Sequence, residues 1–161
     1  GWRVGYLAAP GKNGVLAKEL IKLQGQMTNS IPSFIMPAVV EALTNCAASV
    51  ETMRQAFAAR AALVYTLLSD IKRLNVCKST GAFYSFPEIH ACMGLRTSSG
   101  RVIDSAQSFA EALLEEHFVA VVPGEDFGEC ARENIRISFA CSEANIREGF
   151  ARLEKFVNSL A

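Results

Sequence analysis

An apolar stripe along residues 49–74 constrains the fold of this chain more than any other feature of its sequence. Its members recur at steps of three and four residues, which is the spacing of one helix face. They are Val50, Met53, Phe57, Ala61, Val64, Leu67, Leu68, Ile71 and Leu74. The stripe predicts a helix of about seven turns that begins at Ser49. A helix this long usually bridges two parts of a protein, and too few of its residues are strongly apolar for a membrane span.

Shorter segments on both sides of the stripe alternate between strand and helix patterns. Strands are expected at residues 2–9, 81–86, 118–122 and 135–140. Helices are expected at residues 12–26, from a Ser33 cap to about Asn45, after an Asp104 or Ser105 cap, and after a Ser142 cap. Interleaved strands and helices predict an α/β protein whose second half is an α+β domain.

The composition excludes several classes of protein. The 161 residues carry 16 basic and 16 acidic side chains, so the net charge is zero and a nucleic-acid-binding surface is not expected. No apolar run approaches the ~20 residues that span a bilayer. The five cysteines are scattered and odd in number, so we expect neither a disulfide scaffold nor a metal site. This cysteine usage favours a reducing compartment, the cytoplasm, with an organelle left open.

Two arginines at strand positions suggest a site for an anionic small molecule. Apolar and polar residues alternate around Arg136, so its side chain faces away from those of Ile135 and Ile137. A guanidinium on a rigid strand can bind a carboxylate through two parallel hydrogen bonds. Arg3 places a second cation at the start of another predicted strand. We therefore predict a ligand that is held at two acidic ends.

The sequence has none of the common motifs of self-contained active sites. It lacks G-x-S-x-G, H-E-x-x-H, the P-loop and G-x-G-x-x-G. The two histidines, His90 and His117, are far apart in the sequence. A Ser-His-Asp or Cys-His arrangement is therefore poorly supported, and we interpret both histidines as structural or surface groups.

A series of short motifs occurs instead, in a fixed order around the long helical stripe. They are Gly1-Trp2-Arg3-Val4-Gly5-Tyr6, Gln24-x-Gln26-x-Thr28, Gly81-Ala82-Phe83-Tyr84-x-Phe86-Pro87, Val119-Ala120-Val121-Val122-Pro123-Gly124-x-x-Phe127-Gly128 and Ile135-Arg136-Ile137-Ser138-Phe139-Ala140. Over nearly the whole chain this series resembles the C-terminal part of a class I/II aminotransferase, of the fold type I pyridoxal-phosphate (PLP) family. It is most similar to the bacterial and archaeal type of aspartate aminotransferase.

The resemblance implies a fold and a domain division. The fold would be the C-terminal domain of a fold type I PLP transferase, with a long interdomain helix and a small, mostly antiparallel sheet packed by helices. Residues 1–46 would form the C-terminal edge of the large PLP-binding domain. Residues 47–161 would form the small domain, including the long helix. The exposed edge of the first strand is also expected to drive self-association.

The resemblance implies residues that bind the cofactor phosphate. Arg3 would contact this phosphate directly, and a fixed cation suits a dianion. Asn29 and Ser30 match a segment that reaches the phosphate bound by a neighbouring subunit. A turn or helix-capping role is the alternative for Asn29 and Ser30.

It also implies residues that bind the substrate. Arg136 would bind the α-carboxylate of the amino acid or 2-oxo acid, and so orient the Cα–H bond relative to the cofactor ring. Phe83 and Tyr84 match aromatic residues near the substrate pocket, with packing in the core as the alternative.

The catalytic lysine of the family is expected outside this sequence. This lysine, which forms a Schiff base with PLP, lies about eight residues before the Gly-Trp-Arg arginine. We therefore expect no catalytic residue within the chain, and Lys12, Lys18 and Lys22 cannot replace it. The chain is expected to be a fragment of a homodimeric enzyme. By itself, this fragment is expected neither to retain PLP nor to transaminate.

The function implied for the parent is amino-group transfer between an amino acid, aspartate or a related one, and a 2-oxo acid. Two alternatives stay open. The first is a PLP-dependent lyase or synthase on the same fold, such as a C–S lyase or aminocyclopropane-carboxylate synthase. The second is a non-catalytic regulatory or dimerisation module that reuses the fold.

Overall fold

A computed structural model describes residues 3–11 and 14–161. They divide into two compact units, Gly1–Thr52 and Met53–Ala161, so that the division falls inside the long helix. The predicted starts of the first strand and of the first helix lie outside the described residues, which leave out Gly1, Trp2, Lys12 and Asn13.

Two helices and the start of a third make up most of the first unit. They are α1 (Val15–Met27), α2 (Met36–Thr44) and the first turns of α3 (Ala47–Asp70). Helix α1 confirms the helix predicted there. Helix α2 has Pro37 in its first turn, as expected, because that turn does not need the proline N–H. The predicted Ser33 cap is wrong: Ser33 opens a 3₁₀ turn that precedes α2, and its side chain makes no capping hydrogen bond.

No strand forms at residues 3–9. They have no regular secondary structure, and Tyr6 and Leu7 are exposed. A strand is held by hydrogen bonds to a neighbour, and none of the described segments pairs with this one. The predicted first strand is therefore wrong for these residues, and the self-association predicted from its edge loses its basis.

Helix α3 is the long helix that the apolar stripe predicts. Val64 and Leu68 are buried in the core of the second unit, and Phe57 packs against that core. Val50 and Met53, near the start of the stripe, are exposed. The last members of the stripe lie beyond the helix end, since α3 stops at Asp70.

A three-stranded antiparallel sheet forms the centre of the second unit. Its strands are β1 (Tyr84–Ser85), β2 (Val122–Pro123) and β3 (Ile135–Ser138), and their order is β1-β3-β2. In the register, Tyr84 lies opposite Ser138 and Val122 lies opposite Arg136. The central strand is therefore the one that carries Arg136.

The outer strands are shorter than the sequence predicts. Before β1, Ala82 has a φ of 56°, which is outside the extended region. After β1, Pro87 has no N–H to donate to a ladder. In β2, pairing begins only at Val122 instead of Phe118, because Phe118 takes a left-handed conformation, with a φ of 57°, at the end of a helix.

Two helices cover the inner face of the sheet. They are α4 (Ala106–His117) and α5 (Glu143–Ser159). The Ser105 hydroxyl accepts a hydrogen bond from the Ser108 N–H at 3.1 Å, and the Ser142 hydroxyl accepts one from the Asn145 N–H at 3.2 Å. The caps predicted at Ser105 and Ser142 are confirmed, whereas Asp104 is not the cap.

The core lies between these helices, α3 and the sheet. Ile135 and Phe139 of the β3 segment are fully buried. Phe109 of α4 and Phe156 of α5 meet edge to face, with ring centroids 5.1 Å apart. Each such buried side chain stabilises the fold by about 1.5–3 kcal/mol relative to exposure. The predicted fold class, a small antiparallel sheet packed by helices and joined to a long helix, is confirmed.

No single helix among the described residues has both the length and the apolar character to cross a membrane. The segment Ser33–Thr44 and helix α3 meet that criterion only as a bent pair, by length and composition.

Candidate functional site

Arg136 occupies the outward face of the central strand. Its neighbours Ile135 and Ile137 are buried on the opposite face, with 0% and 8% of their surface exposed. Arg136 itself is half-buried, and Ser138 on the same face is exposed. The alternation predicted from the sequence therefore sets the direction of the guanidinium.

Two aromatic rings flank the Arg136 guanidinium. Its central carbon, Cζ, lies 4.6 Å from the ring centroid of Tyr84 and 4.6 Å from that of Phe127. Tyr84 is in place because it pairs with Ser138, which is two residues along the same face from Arg136. Phe127 comes from the 3₁₀ turn Gly124–Phe127 that follows β2. Both contacts lie within the range of a favourable cation–π interaction.

The Arg136 guanidinium has no anionic partner among the residues that the structure describes. Other arginines of this unit do form ion pairs, such as Arg101 with Glu115 at 2.7 Å and Arg147 with Glu143 at 2.7 Å. The forked N–H donors of Arg136 are thus available to a ligand, and their geometry matches a carboxylate.

Phe83, the other residue predicted to bind substrate, lies one ring away from Arg136. Its ring centroid is 4.6 Å from that of Tyr84 and 5.5 Å from that of Phe57. Tyr84 and Phe127 contact Arg136 instead. Both residues lie within the short motifs of the sequence, but their contacts with Arg136 follow only from the strand register and from the path of the turn after β2.

The three residues predicted to bind phosphate all lie in the first unit. Arg3, Asn29 and Ser30 are exposed, and no described residue pairs with their side chains. Asn29 has a φ of 66°, and its N–H donates to the Gln24 carbonyl at 3.0 Å, which ends α1 in a left-handed turn. The turn role weighed for Asn29 is therefore observed for its backbone. A guanidinium, an amide and a hydroxyl are a donor set that fits the PLP phosphate, although no hydrogen bond links the three residues.

A cleft of about 510 Å³ elsewhere in the second unit does not suit an anion. Its lining is rich in carboxylates, which are Glu88, Asp104, Glu125, Glu129 and Glu133. Within the described part of the chain, no group of three or more His, Cys, Asp or Glu side chains could hold a metal ion.

Comparison with known proteins identifies the chain through most of its length. The family described as "Aminotransferase class I and II" matches residues 1–153. An aspartate/prephenate aminotransferase of Cereibacter sphaeroides is 37% identical over 161 residues, which are 100% of this chain and 39% of the relative. The chain thus spans about two fifths of the length of the curated relatives that it matches.

Solved structures agree in fold. The aspartate aminotransferase of Rhizobium meliloti is 34% identical with a TM-score of 0.81, and the match covers 91% of this chain and 36% of that one. The aromatic aminotransferase of Pyrococcus horikoshii is 32% identical with a TM-score of 0.81, and the match covers 98% of this chain and 39% of that one. With sequence motifs, fold and relatives in agreement, the chain belongs to the class I and II aminotransferase family.

Proposed function

We propose that this chain supplies the C-terminal part of a PLP-dependent aminotransferase, and that Arg136 binds the α-carboxylate of its amino acid and 2-oxo acid substrates. One observation carries the proposal: a half-buried guanidinium on the central strand has no anionic partner among the described residues. An arginine held in this way is ready to bind a carboxylate, and the charge-assisted pair would fix the substrate relative to the reacting atoms.

The cofactor assignment rests on the first unit. Arg3, Asn29 and Ser30 would hold the phosphate of PLP, with Asn29 and Ser30 reaching that of a neighbouring subunit in a homodimer. When bound, PLP supplies an electron sink for charge at the substrate Cα. Residues 1–46 would belong to the PLP-binding domain, and residues 47–161 to the small domain.

The substrates share an α-carboxylate and differ in their side chains. The relatives carry names that range from aspartate/prephenate to aromatic aminotransferase. Arg136 can bind the group that such amino acids have in common, whereas the side chain must be recognised by other residues. Aspartate or a related amino acid is the donor that we propose.

We expect the intact protein that carries this chain to be cytoplasmic. The decisive experiment replaces Arg136 in that protein. Arg136→Lys keeps the positive charge but loses the two parallel N–H donors of the guanidinium. We therefore expect kcat/KM to fall about 10- to 100-fold for both amino acid and 2-oxo acid. The matched control is Arg147→Lys, because Arg147 is exposed and pairs with Glu143 on the surface of α5. That control should stay within about twofold of the unsubstituted protein. Equal activity of the two variants would refute the role of Arg136.

The chain by itself is proposed to be inactive. Described lysines of the first unit lie on α1, where Lys22 pairs with Glu19 at 3.0 Å and Lys18 is exposed. Mixing the chain with PLP and removing free cofactor should leave a colourless protein without transaminase activity. A yellow, active chain would contradict this proposal. In the intact protein, elimination products instead of transamination would favour the lyase or synthase alternative, and failure to bind PLP would favour a regulatory module.

A further inference from the structure

We propose that Tyr84 and Phe127 are positioning residues that hold the Arg136 guanidinium in one plane, so that a carboxylate can approach only along its N–H edge. This inference deepens the proposed function and rests on it. Each ring centroid is 4.6 Å from the guanidinium carbon, so both rings lie within the distance of a favourable cation–π contact.

The rings favour one arrangement of a side chain that is otherwise flexible. An arginine has many rotamers, and ordering them at the moment of binding weakens affinity. Stacking on aromatic rings restricts Arg136 before the ligand arrives. The rings also displace water, which strengthens the ion pair that the free N–H groups can form.

The backbone around each ring is anchored to β3 or to its neighbours. Tyr84 is paired in the sheet with Ser138, and its carbonyl accepts a hydrogen bond from the Ser79 hydroxyl at 2.8 Å. Such anchoring fixes the Tyr84 backbone, from which the ring projects, relative to the strand that carries Arg136.

The turn Gly124–Phe127 is held at its beginning by two hydrogen bonds. The Gly124 N–H donates to the Asn134 carbonyl at 2.8 Å, and Glu125 Oε1 accepts from the Ala106 N–H at 3.0 Å. The second bond ties the turn to the first residue of α4. The Phe127 position therefore depends on the fold and not on a ligand.

Phe127 is also braced from outside. Phe86 meets the Phe127 ring edge to face at 5.8 Å, while Phe127 keeps 45% of its surface exposed. A ring that is anchored yet exposed is placed to contact the part of a ligand that lies beyond its carboxylate. We infer that Phe127 both orients Arg136 and adds apolar contact to the bound acid.

The test uses the ¹⁵N-labelled intact protein that carries this chain and pyruvate as the probe, with Phe127→Leu as the variant. The Arg136 Nε–Hε resonance, shifted by the ring currents of both neighbours, should move in Phe127→Leu. The dissociation constant for pyruvate should rise about three- to tenfold. Phe127→Tyr, which keeps an aromatic ring, should leave the Arg136 resonance and the dissociation constant close to those of the unsubstituted protein. The control, Phe118→Leu, replaces a ring that is 77% exposed and has no ring contact with Arg136, so it should change neither value.

Kinetics of the intact protein separate positioning from general damage. In Phe127→Leu, KM for amino acid and 2-oxo acid should rise by that factor while kcat changes less than about twofold, and Phe127→Tyr should reverse the change. An Arg136 resonance that does not move, or moves without any loss of affinity, would overturn the inference. Transaminase activity of the unsubstituted protein reports on the proposed function separately, since the pyruvate titration does not require it.

Discussion

Gly124→Ala should destabilise the second unit strongly, although the change adds a single methyl group. A Cβ at this position would overlap the carbonyl oxygen of Ala131 and lie 2.5 Å from that of Asn134. Both obstacles are backbone atoms, which cannot rotate away as the end of a long side chain would. The turn must therefore move, and the hydrogen bond from the Gly124 N–H to Asn134, 2.8 Å long, is strained with it.

The magnitude follows from these two effects. Overpacking a close contact costs about 1–3 kcal/mol, and weakening one buried hydrogen bond costs about 1 kcal/mol. The free energy of unfolding should fall by about 2–4 kcal/mol, a large share of the 5–15 kcal/mol typical of a domain.

Urea unfolding and amide exchange measure this loss. Far-ultraviolet circular dichroism follows the helices, and exchange of the Ile135 amide, which donates to Pro87 at 3.1 Å, reports on the second unit alone. Gly149→Ala is the matched control, because a Cβ at that position on α5 would have no atom within 4 Å apart from its chain neighbours and the adjacent backbone of its own helix. The control should gain about 0.5–1 kcal/mol from lower chain entropy in the unfolded state. If both alanine variants unfold at the same urea concentration, the steric reasoning is wrong.

Three further predictions concern the second unit. Ser105→Ala removes the hydroxyl that caps α4 but keeps the reciprocal bond from the Ser105 N–H to the Ser108 hydroxyl, so the unfolding free energy should fall by about 1 kcal/mol in the same urea assay, and Ser105→Asp should recover most of it. Burial raises the pKa of the Cys92 thiol from 9.0 to about 11. Since the folded state then holds this proton more tightly than the unfolded state, stability should decline as pH rises from about 9 to about 11, and Cys92→Ala should remove that part of the pH dependence. Iodoacetamide at pH 8 should label exposed Cys77 well before Cys92, and equal labelling of both would contradict the burial.

Much of the second unit could be predicted because its signals are local. The stripe of α3, the serine caps of α4 and α5, and the alternation around Arg136 each depend on residues that are close in the sequence. The direction of Arg136 follows from this alternation alone, because the side chains of a strand point to opposite faces in turn.

Most of the misses arise where the structure depends on residues far apart in the sequence, and the Ser33 cap is a local exception. Residues 3–9 have strand composition, but a strand also needs a paired neighbour, and composition does not say whether one exists. The Ser33 prediction failed because a 3₁₀ turn precedes α2 and shifts its start. The contact between Phe127 and Arg136 is invisible to periodicity, since it depends on the path of the turn after β2.

The register of β3 couples the fold to the site. A slip of one residue would bring Arg136 into the core and place Ile135 and Ile137 on the surface, because side chains alternate with a period of two. Burying a guanidinium without a partner is costly, so the slipped arrangement is strongly disfavoured. The turn at Gly124 helps to enforce this register, since its N–H bonds to the residue just before β3, and the same turn carries Phe127. A change that loosens this turn should therefore reduce both stability and carboxylate affinity, whereas a change confined to the Phe127 ring should reduce affinity alone.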